Sequence, residues 1–367
     1  MNASLANSIR ALVEQYQDEM VELVKQLARL ESPSTVPDTQ DRIIDLLQHH
    51  LEEMGFHCTR MTGDKTGGYL YASPAQRVRH SPVQLLVGHC DTVWPLETLA
   101  VMPVASDGNR VKGPGVYDMK GGLTQMIYAL KVLNEIEKNP SVTPVVLINS
   151  DEEIGSKEST EVIKRISKIS DRAFVLEPSL GINGSIKTQR KGVGRFTVKI
   201  KGKSAHAGLN PGEGTSAIVA LSKVIQELFL RNDPEKEICV IVGMVEGGTR
   251  PNGVAEESRA IIDVRVPTQN DAQVISKKIH DLKHSQSDVE IEIEGSIGRP
   301  PMEATQLNRK LWTKAKQAGE LLGVSLEQSF AGGASDGNTT SQYTATLYGL
   351  GATGDGAHAA QEYLFLD

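Results

Sequence analysis

Three short apolar runs in this chain give way, with no linker between, to segments dense in acidic and imidazole groups. Val83–Val87 (VQLLV) leads into Gly88-His89-Cys90-Asp91-Thr92, and Pro144–Asn149 (PVVLIN) leads into Ser150-Asp151-Glu152-Glu153. Ala173–Glu177 (AFVLE) ends on its own glutamate before Pro178. Runs this short and this uniformly apolar suit strands buried on both faces, which occur where helices cover both sides of a parallel sheet. Helical spacing before and between the runs supplies the covers, over about Asp41–Met54, Gly121–Glu137 and Glu158–Ser167. Before them, Leu5, Ile9, Leu12, Val13, Tyr16, Met20, Leu23, Val24 and Leu27 recur as in an amphipathic opening helix. Strands alternating with helices predict an α/β layer whose mixed, largely parallel sheet is flanked by helices.

The pattern changes near Lys191. Phe196, Val198 and Ile200 alternate with Thr197, Lys199 and Lys201, as in a strand with one wet face. A helix over about Thr215–Phe229 comes next, then strands near Ile238–Val245 and Arg259–Val266. A helix near Asp271–Leu282 and a strand containing Val289, Ile291 and Ile293 complete the series. This β-α-β-β-α-β order is the ferredoxin-like signature and predicts an inserted α+β domain over 190–298. Residues 1–189 and 299–367 then form the first domain, with a helix near Leu307–Leu322 and a strand near Thr346–Gly349. A length of 367 residues suits two domains.

The net charge of −7 argues against a nucleic-acid or anionic-membrane surface. No run of about 18 apolar residues is present, so no membrane span is expected. Cys58, Cys90 and Cys239 are scattered and odd in number, which suits a reducing compartment. The N-terminus lacks the apolar core of a signal peptide, so the expected location is cytoplasmic.

In open α/β sheets, ligand sites gather beyond the carboxyl ends of strands. His89 and Asp91 lie two residues apart and point the same way in extended chain, and a carboxylate beside a metal-binding imidazole fixes its tautomer. Gly113-Pro114-Gly115-Val116-Tyr117 delivers Asp118 just before a helix. Glu152 and Glu153 face opposite ways at a strand end, so one can bind metal while the other handles a proton. Glu177 closes its run, and His358 sits in the Gly354–Ala359 loop. Each has a plainer reading when taken alone. His89-Asp91 can be a surface turn, Asp118 a helix N-cap, Asp151–Glu153 an acidic turn, Glu177 an exposed strand tip and His358 a loop histidine. A phosphate-binding or dinucleotide reading of the glycine-rich turn lacks the required spacing. Together, however, His89, Asp118, Glu153, Glu177 and His358 supply two imidazoles and three carboxylates. That set suits two divalent cations with one bridging carboxylate, zinc first and cobalt or manganese acceptable.

The runs GHCDTVWP, GPGVYDMKGG, SDEEIGS, LEPS, GKSAHAG, GGTRPN and GDGAHA resemble the zinc aminoacylase/carboxypeptidase family, most of all its carboxypeptidase-G-type glutamate carboxypeptidases. The resemblance spans nearly the whole chain. It implies a zinc-exopeptidase-like catalytic domain with an inserted lid and dimerisation domain. It also implies two zinc ions per subunit, held by His89 and Glu177 on one side and Glu153 and His358 on the other, with Asp118 bridging. Asp91 would orient His89, and Glu152 would be general base and later general acid. The Asp118–Met119 peptide would be cis, and His206 would reach the partner subunit's site in a homodimer to stabilise the oxyanion. Asn252, Arg265 and Arg299 would hold the substrate's free carboxylate or its surroundings. Read alone, His206 is a turn histidine, Arg265 a wet-face strand residue and Arg299 a hinge residue.

The activity so implied is hydrolysis of an amide bond in an N-acyl amino acid or small peptide, with release of a C-terminal glutamate. A deacylase of the acetylornithine or succinyl-diaminopimelate type, or a metal-binding homologue without catalysis, are the alternatives. Two departures stand out. The family's Asn-x-x-Pro turn reads Asn252-Gly253-Val254-Ala255 here. The chain also ends nine residues after His358, where relatives generally continue with a closing helix; either this sequence stops short of it or the core is less covered there.

Overall fold

The computed structural model describes residues 3–77, 79–136, 141–282 and 288–366. The chain forms two compact units. The first comprises Met1–Thr188, Ala304–Phe330 and Ser335–Asp367; the second comprises Gln189–Glu303 and Ala331–Ala334.

The first unit is built on an eight-stranded sheet. In spatial order its strands are Phe56–Met61, Tyr69–Pro74, Thr143–Asn149, Val83–His89, Arg172–Val175, Ala345–Tyr348, Ile186–Arg190 and Gln328–Ala331. Four adjacent strands run parallel, in the registers His89 opposite Asn149, Val87 opposite Val175 and Thr346 opposite Ala173. Antiparallel strands flank them on both sides. Every residue of Thr143–Asn149 is buried, as expected of a strand covered on both faces. Helix Gly121–Ile136 lays Leu123, Met126, Ile127 and Leu130 against Leu86, Val146 and Ile148, and helix Pro37–Glu53 adds Ile43, Ile44, Leu47 and Leu51 to the same core. The expected mixed, largely parallel sheet flanked by helices is therefore present.

Sequence-based expectation and structure differ at several elements. The opening helix is two, Ala3–Gln15 and Gln17–Arg29. The break falls where Tyr16 turns inward, its ring 5.6 Å from that of Tyr128 and its hydroxyl donating to Glu135. Strands Phe56–Met61 and Tyr69–Pro74 were not expected: the first is an edge strand whose residues alternate between half-buried and exposed, and the second lies between it and Thr143–Asn149 with only Leu70 and Ala72 buried. The helix expected over Gly121–Glu137 is present as Gly121–Ile136, and Glu137 lies outside the described residues.

A second small sheet orders Gly354–Asp355, Tyr363–Phe365, Arg110–Lys112 and Ala105–Asp107. It pairs Leu364 with Val111 and Tyr363 with Lys112. The loop carrying His358 is thereby fastened to the strand that precedes the glycine-rich turn.

The second unit is a four-stranded antiparallel sheet in the order Cys239–Gly247, Glu257–Val266, Gly192–Lys201 and Glu290–Arg299. Helices Ala217–Phe229 and Gln269–His280 join the strands, completing the ferredoxin-like arrangement. Phe196, Val198, Ile200, Leu221, Ile262 and Val264 are its buried centre.

Leu147 is fully buried in the central sheet, whereas Val101 is 86% exposed. Leu147→Ala should lower unfolding free energy by about 2–5 kcal/mol and Val101→Ala by less than about 0.5. Equilibrium denaturation measures both, and equal effects would contradict this packing.

Candidate metal centre

The carboxyl ends of the parallel strands open on one side of the sheet, and the acidic and imidazole groups collect there. His89 closes its strand and is 1% exposed. Its Nδ1 lies 3.1 Å from the Asp91 carbonyl oxygen and 3.3 Å from Asp91 Oδ1, which leaves Nε2 facing the other way. There it meets Asp118 Oδ1 at 3.3 Å and Glu177 Oε1 at 3.6 Å. Opposite, His358 Nε2 lies 3.0 Å from Glu153 Oε2 and 3.6 Å from Asp118 Oδ2. Asp118 thus turns one oxygen to each of two groups, His89 with Glu177 and His358 with Glu153.

The local chain explains how Asp118 comes to stand there. Gly115 takes a left-handed φ of 74° and Asp118 an extended backbone, and the Asp118–Met119 peptide is cis, as the resemblance implied. Helix Gly121–Ile136 then starts hard against the strand end that bears Glu177. A Cβ on Gly122 would come within 1.7 Å of the Leu176 carbonyl oxygen, so only glycine permits this approach.

Asp91 does more than face His89. Its carboxylate also accepts hydrogen bonds from the Glu152 and Glu153 amides, at 3.2 and 3.1 Å, and from Ser34 Oγ at 2.6 Å. One buried carboxylate therefore aligns an imidazole on one strand and the acidic turn on the next. Behind that turn, Asp151 accepts from Ser159 Oγ and from the amides of Glu158 and Ser159. Asp336 accepts from Asn149 Nδ2 at 2.6 Å and Ser156 Oγ at 2.5 Å.

Of the eight side-chain atoms buried without a hydrogen-bond partner among the described residues, three converge here: His89 Nε2, Asp118 Oδ1 and Glu153 Oε1. Buried polar atoms are nearly always satisfied, and unsatisfied ones are costly. Convergent unsatisfied nitrogen and carboxylate oxygens are the donor set that a divalent cation takes. Ligand atoms of His89, Asp118 and Glu153 lie within 4.8 Å of one another, as do those of His89, Glu152 and Glu177. Glu152 therefore stands at the His89–Glu177 side, close enough to touch what those two hold.

In the second unit, His206 is exposed. Its Nδ1 accepts from the amides of Gly208 and Leu209, at 3.1 and 3.2 Å, which places the ring proton on Nε2. The His206 loop runs beside Asn252, since the Ala207 amide donates to the Asn252 carbonyl. Arg265 and Arg299 both pair with Val193, one from each neighbouring strand, and so share a row of the sheet. Arg265 is forked onto Asp263 at 2.6 and 3.0 Å, an arrangement the sequence did not suggest.

Ser34, Asp336 and Glu362 bond to these groups or to their turns without having stood out in the sequence, and Asp151 stood out only as part of the acidic run. None carries a motif of its own, although Asp151 lies within the acidic run and Glu362 four residues past His358.

Among protein groups alone, the carboxylates of Asp118 and Glu153 raise His358 to about 10, against partial burial. Burial lowers His89, but Asp118, Asp91 and Glu177 outweigh it and hold it well above the usual imidazole range. Burial pushes Asp118 up, and His358 and His89 more than reverse that. Burial also raises Glu153.

Over residues 85–367 the chain matches the peptidase family M20/M25/M40. It is 27% identical over 357 residues to carboxypeptidase G2 of Pseudomonas sp. (strain RS-16), covering 93% of this chain and 84% of that protein. It is also 27% identical over 363 residues to the succinyl-diaminopimelate desuccinylase of Delftia acidovorans, covering 94% and 92%. Among solved structures, aminopeptidase PepT of Bacillus cereus superposes with a TM-score of 0.77 at 20% identity, over 95% of this chain and 94% of that one. No helix among the described residues is long and apolar enough to cross a membrane.

This acidic setting raises both imidazoles above their usual range, so a cation taken up here would compete with protons on them. Zinc uptake at pH 8 should release about 1–2 protons per chain, and affinity should climb with pH until the His358 proton is gone near 10. Calorimetry in buffers of differing protonation enthalpy reads this directly. An affinity that stays flat between about pH 6.5 and 9 would contradict it.

Proposed function

Because this chain belongs to peptidase family M20/M25/M40, we propose that it is a two-zinc carboxypeptidase that releases a C-terminal glutamate from an N-acyl amino acid or short peptide. Its standing as a metallopeptidase-type hydrolase comes from the family. The finer reading rests on one observation above the rest, the placement of Asp118 with one oxygen toward His89 and Glu177 and the other toward His358 and Glu153. These five residues would hold the ions, with Asp118 shared. The oxygen-rich set would also accept Co2+ or Mn2+. Bound there, the cations supply Lewis acidity and a water whose pKa falls to about 7.

The chain's own residues do the rest. Glu152 stands beside the His89–Glu177 pair. It takes a proton from the attacking water and returns it to the departing amine. Asp91 keeps His89 in one tautomer and holds the Glu152–Glu153 turn by its amides. His206 presents Nε2–H as an oxyanion donor, a role worth about 3–4 kcal/mol where it has been measured in other enzymes. Asn252, Arg265 and Arg299 receive the substrate's free carboxylate, for which a planar guanidinium is suited.

A homodimer would let His206 serve the partner's site. The second unit supports self-association, because its edge strand Cys239–Gly247 exposes Ile241, Met244 and Val245 and its helix Ala217–Phe229 exposes Ile218, Val219 and Phe229. Three free, scattered cysteines fit a cytoplasmic setting.

The choice of glutamate leans on carboxypeptidase G2. The desuccinylase of equal identity supports a second reading, an N-acyl amino acid deacylase with the same chemistry and different pockets.

Glu152→Gln should keep about two zinc ions per chain and lose at least 100-fold in kcat, within the roughly 10²–10⁴ contributed by general acid–base groups. Metal analysis with steady-state kinetics decides this, and surviving activity would remove Glu152 from the role. Mixing Glu152→Gln with His206→Ala chains should restore some turnover in verified hybrids. Against a panel of N-acyl glutamates, acetylornithine and succinyl-diaminopimelate, kcat/KM should be highest for the acyl glutamates and vanish with chelation. Preference for succinyl-diaminopimelate would favour the deacylase.

A further inference from the structure

Glu362 is 1% exposed and has no part in the chemistry assigned above. Its carboxylate is saturated by donors. Oε1 accepts from the Tyr117 amide at 2.9 Å and the Asp118 amide at 3.0 Å. Oε2 accepts from the Gly115 amide at 2.9 Å and Trp94 Nε1 at 3.1 Å. Three of these four donors belong to the turn that carries Asp118, one of them to Asp118 itself. The fourth stands five residues beyond His89, and Glu362 lies four residues beyond His358. A single buried carboxylate thus joins the segments bearing three of the five proposed ligands.

We propose that Glu362 is a positioning residue that fixes the Asp118 backbone, and thereby sets how tightly the centre holds its cations. This rests on the metal-centre reading above. The chemistry favours a carboxylate specifically. Four N–H donors need an acceptor with two oxygens and no hydrogens, and an ionised Glu or Asp is the only side chain that offers this. A glutamine of the same shape would turn its own NH2 onto two N–H groups whichever way it flipped. A metal-site support of this kind typically contributes about 10–100-fold in affinity.

The test is zinc binding by competition with a chromophoric chelator, which requires no turnover, on full-length wild type, Glu362→Gln, Glu362→Asp and Leu147→Ala. Glu362→Gln should weaken zinc about 10–100-fold. Glu362→Asp, which keeps the acceptors but retracts them by one methylene, should fall between it and wild type. Leu147→Ala, destabilised in the core away from the turn, should bind as wild type does. A folded Glu362→Gln within about 3-fold of wild type would overturn the proposal, because a positioning role predicts a larger loss. If Glu362→Gln fails to fold, a wild-type affinity in Glu362→Asp overturns it. Loss in Leu147→Ala equal to that in Glu362→Gln would reduce the effect to general stability and also overturn it. Wild type binding fewer than two ions would instead overturn the metal-centre reading itself.

Discussion

The structure turns on mutual repulsion that must be relieved. Asp118, Glu153 and Glu177 approach one another in a largely buried place, with Asp91 and Glu152 close behind. Ionised carboxylates withdrawn from water are costly unless paired, and His89 and His358 are the imidazoles placed to pair them. Protons on those imidazoles relieve part of the charge, which is why both are raised. Divalent cations would relieve it more fully and would also satisfy His89 Nε2, Asp118 Oδ1 and Glu153 Oε1. Such a centre exchanges protons for metal, so its chemistry and its pH dependence have one origin.

The fold makes this convergence possible by an ordinary device. Parallel strands end on the same side, so groups far apart in sequence arrive together without special loops. His89, the Glu152–Glu153 turn and Glu177 stand at the ends of three adjacent strands. Asp118 and His358 come from outside that set, and the small sheet pairing Leu364 with Val111 brings their segments side by side. Buried carboxylates then hold the segments by their amides. Asp91 secures the acidic turn, and Glu362 secures the turn of Asp118.

Much of this could be read from the chain because it was written in strong signals. VQLLV and PVVLIN are too apolar to suggest an exposed edge, and the segments directly after them are too rich in acidic and imidazole groups to be routine turns. The alternation of Phe196, Val198 and Ile200 likewise marked a sheet with one wet face, and those three residues are buried together. What escaped lacked such signals. Phe56–Met61 interleaves polar and apolar residues with neither face fully buried, so its pairing is set by the neighbouring strand. Tyr16 breaks the opening helix through a contact with Tyr128 that no local pattern encodes. Glu362 is one acidic residue among many, and its donors lie far off in sequence, from Asp118 at 244 positions to Trp94 at 268.

The most direct measurement is anomalous diffraction at the zinc edge from crystals of the zinc-loaded protein. Two peaks are expected about 3.5–4 Å apart, one on each side of Asp118. His89 and Glu177 should ligate one, and His358 and Glu153 the other. A single peak, or zinc bound elsewhere with these five side chains apart, would contradict a shared two-ion centre.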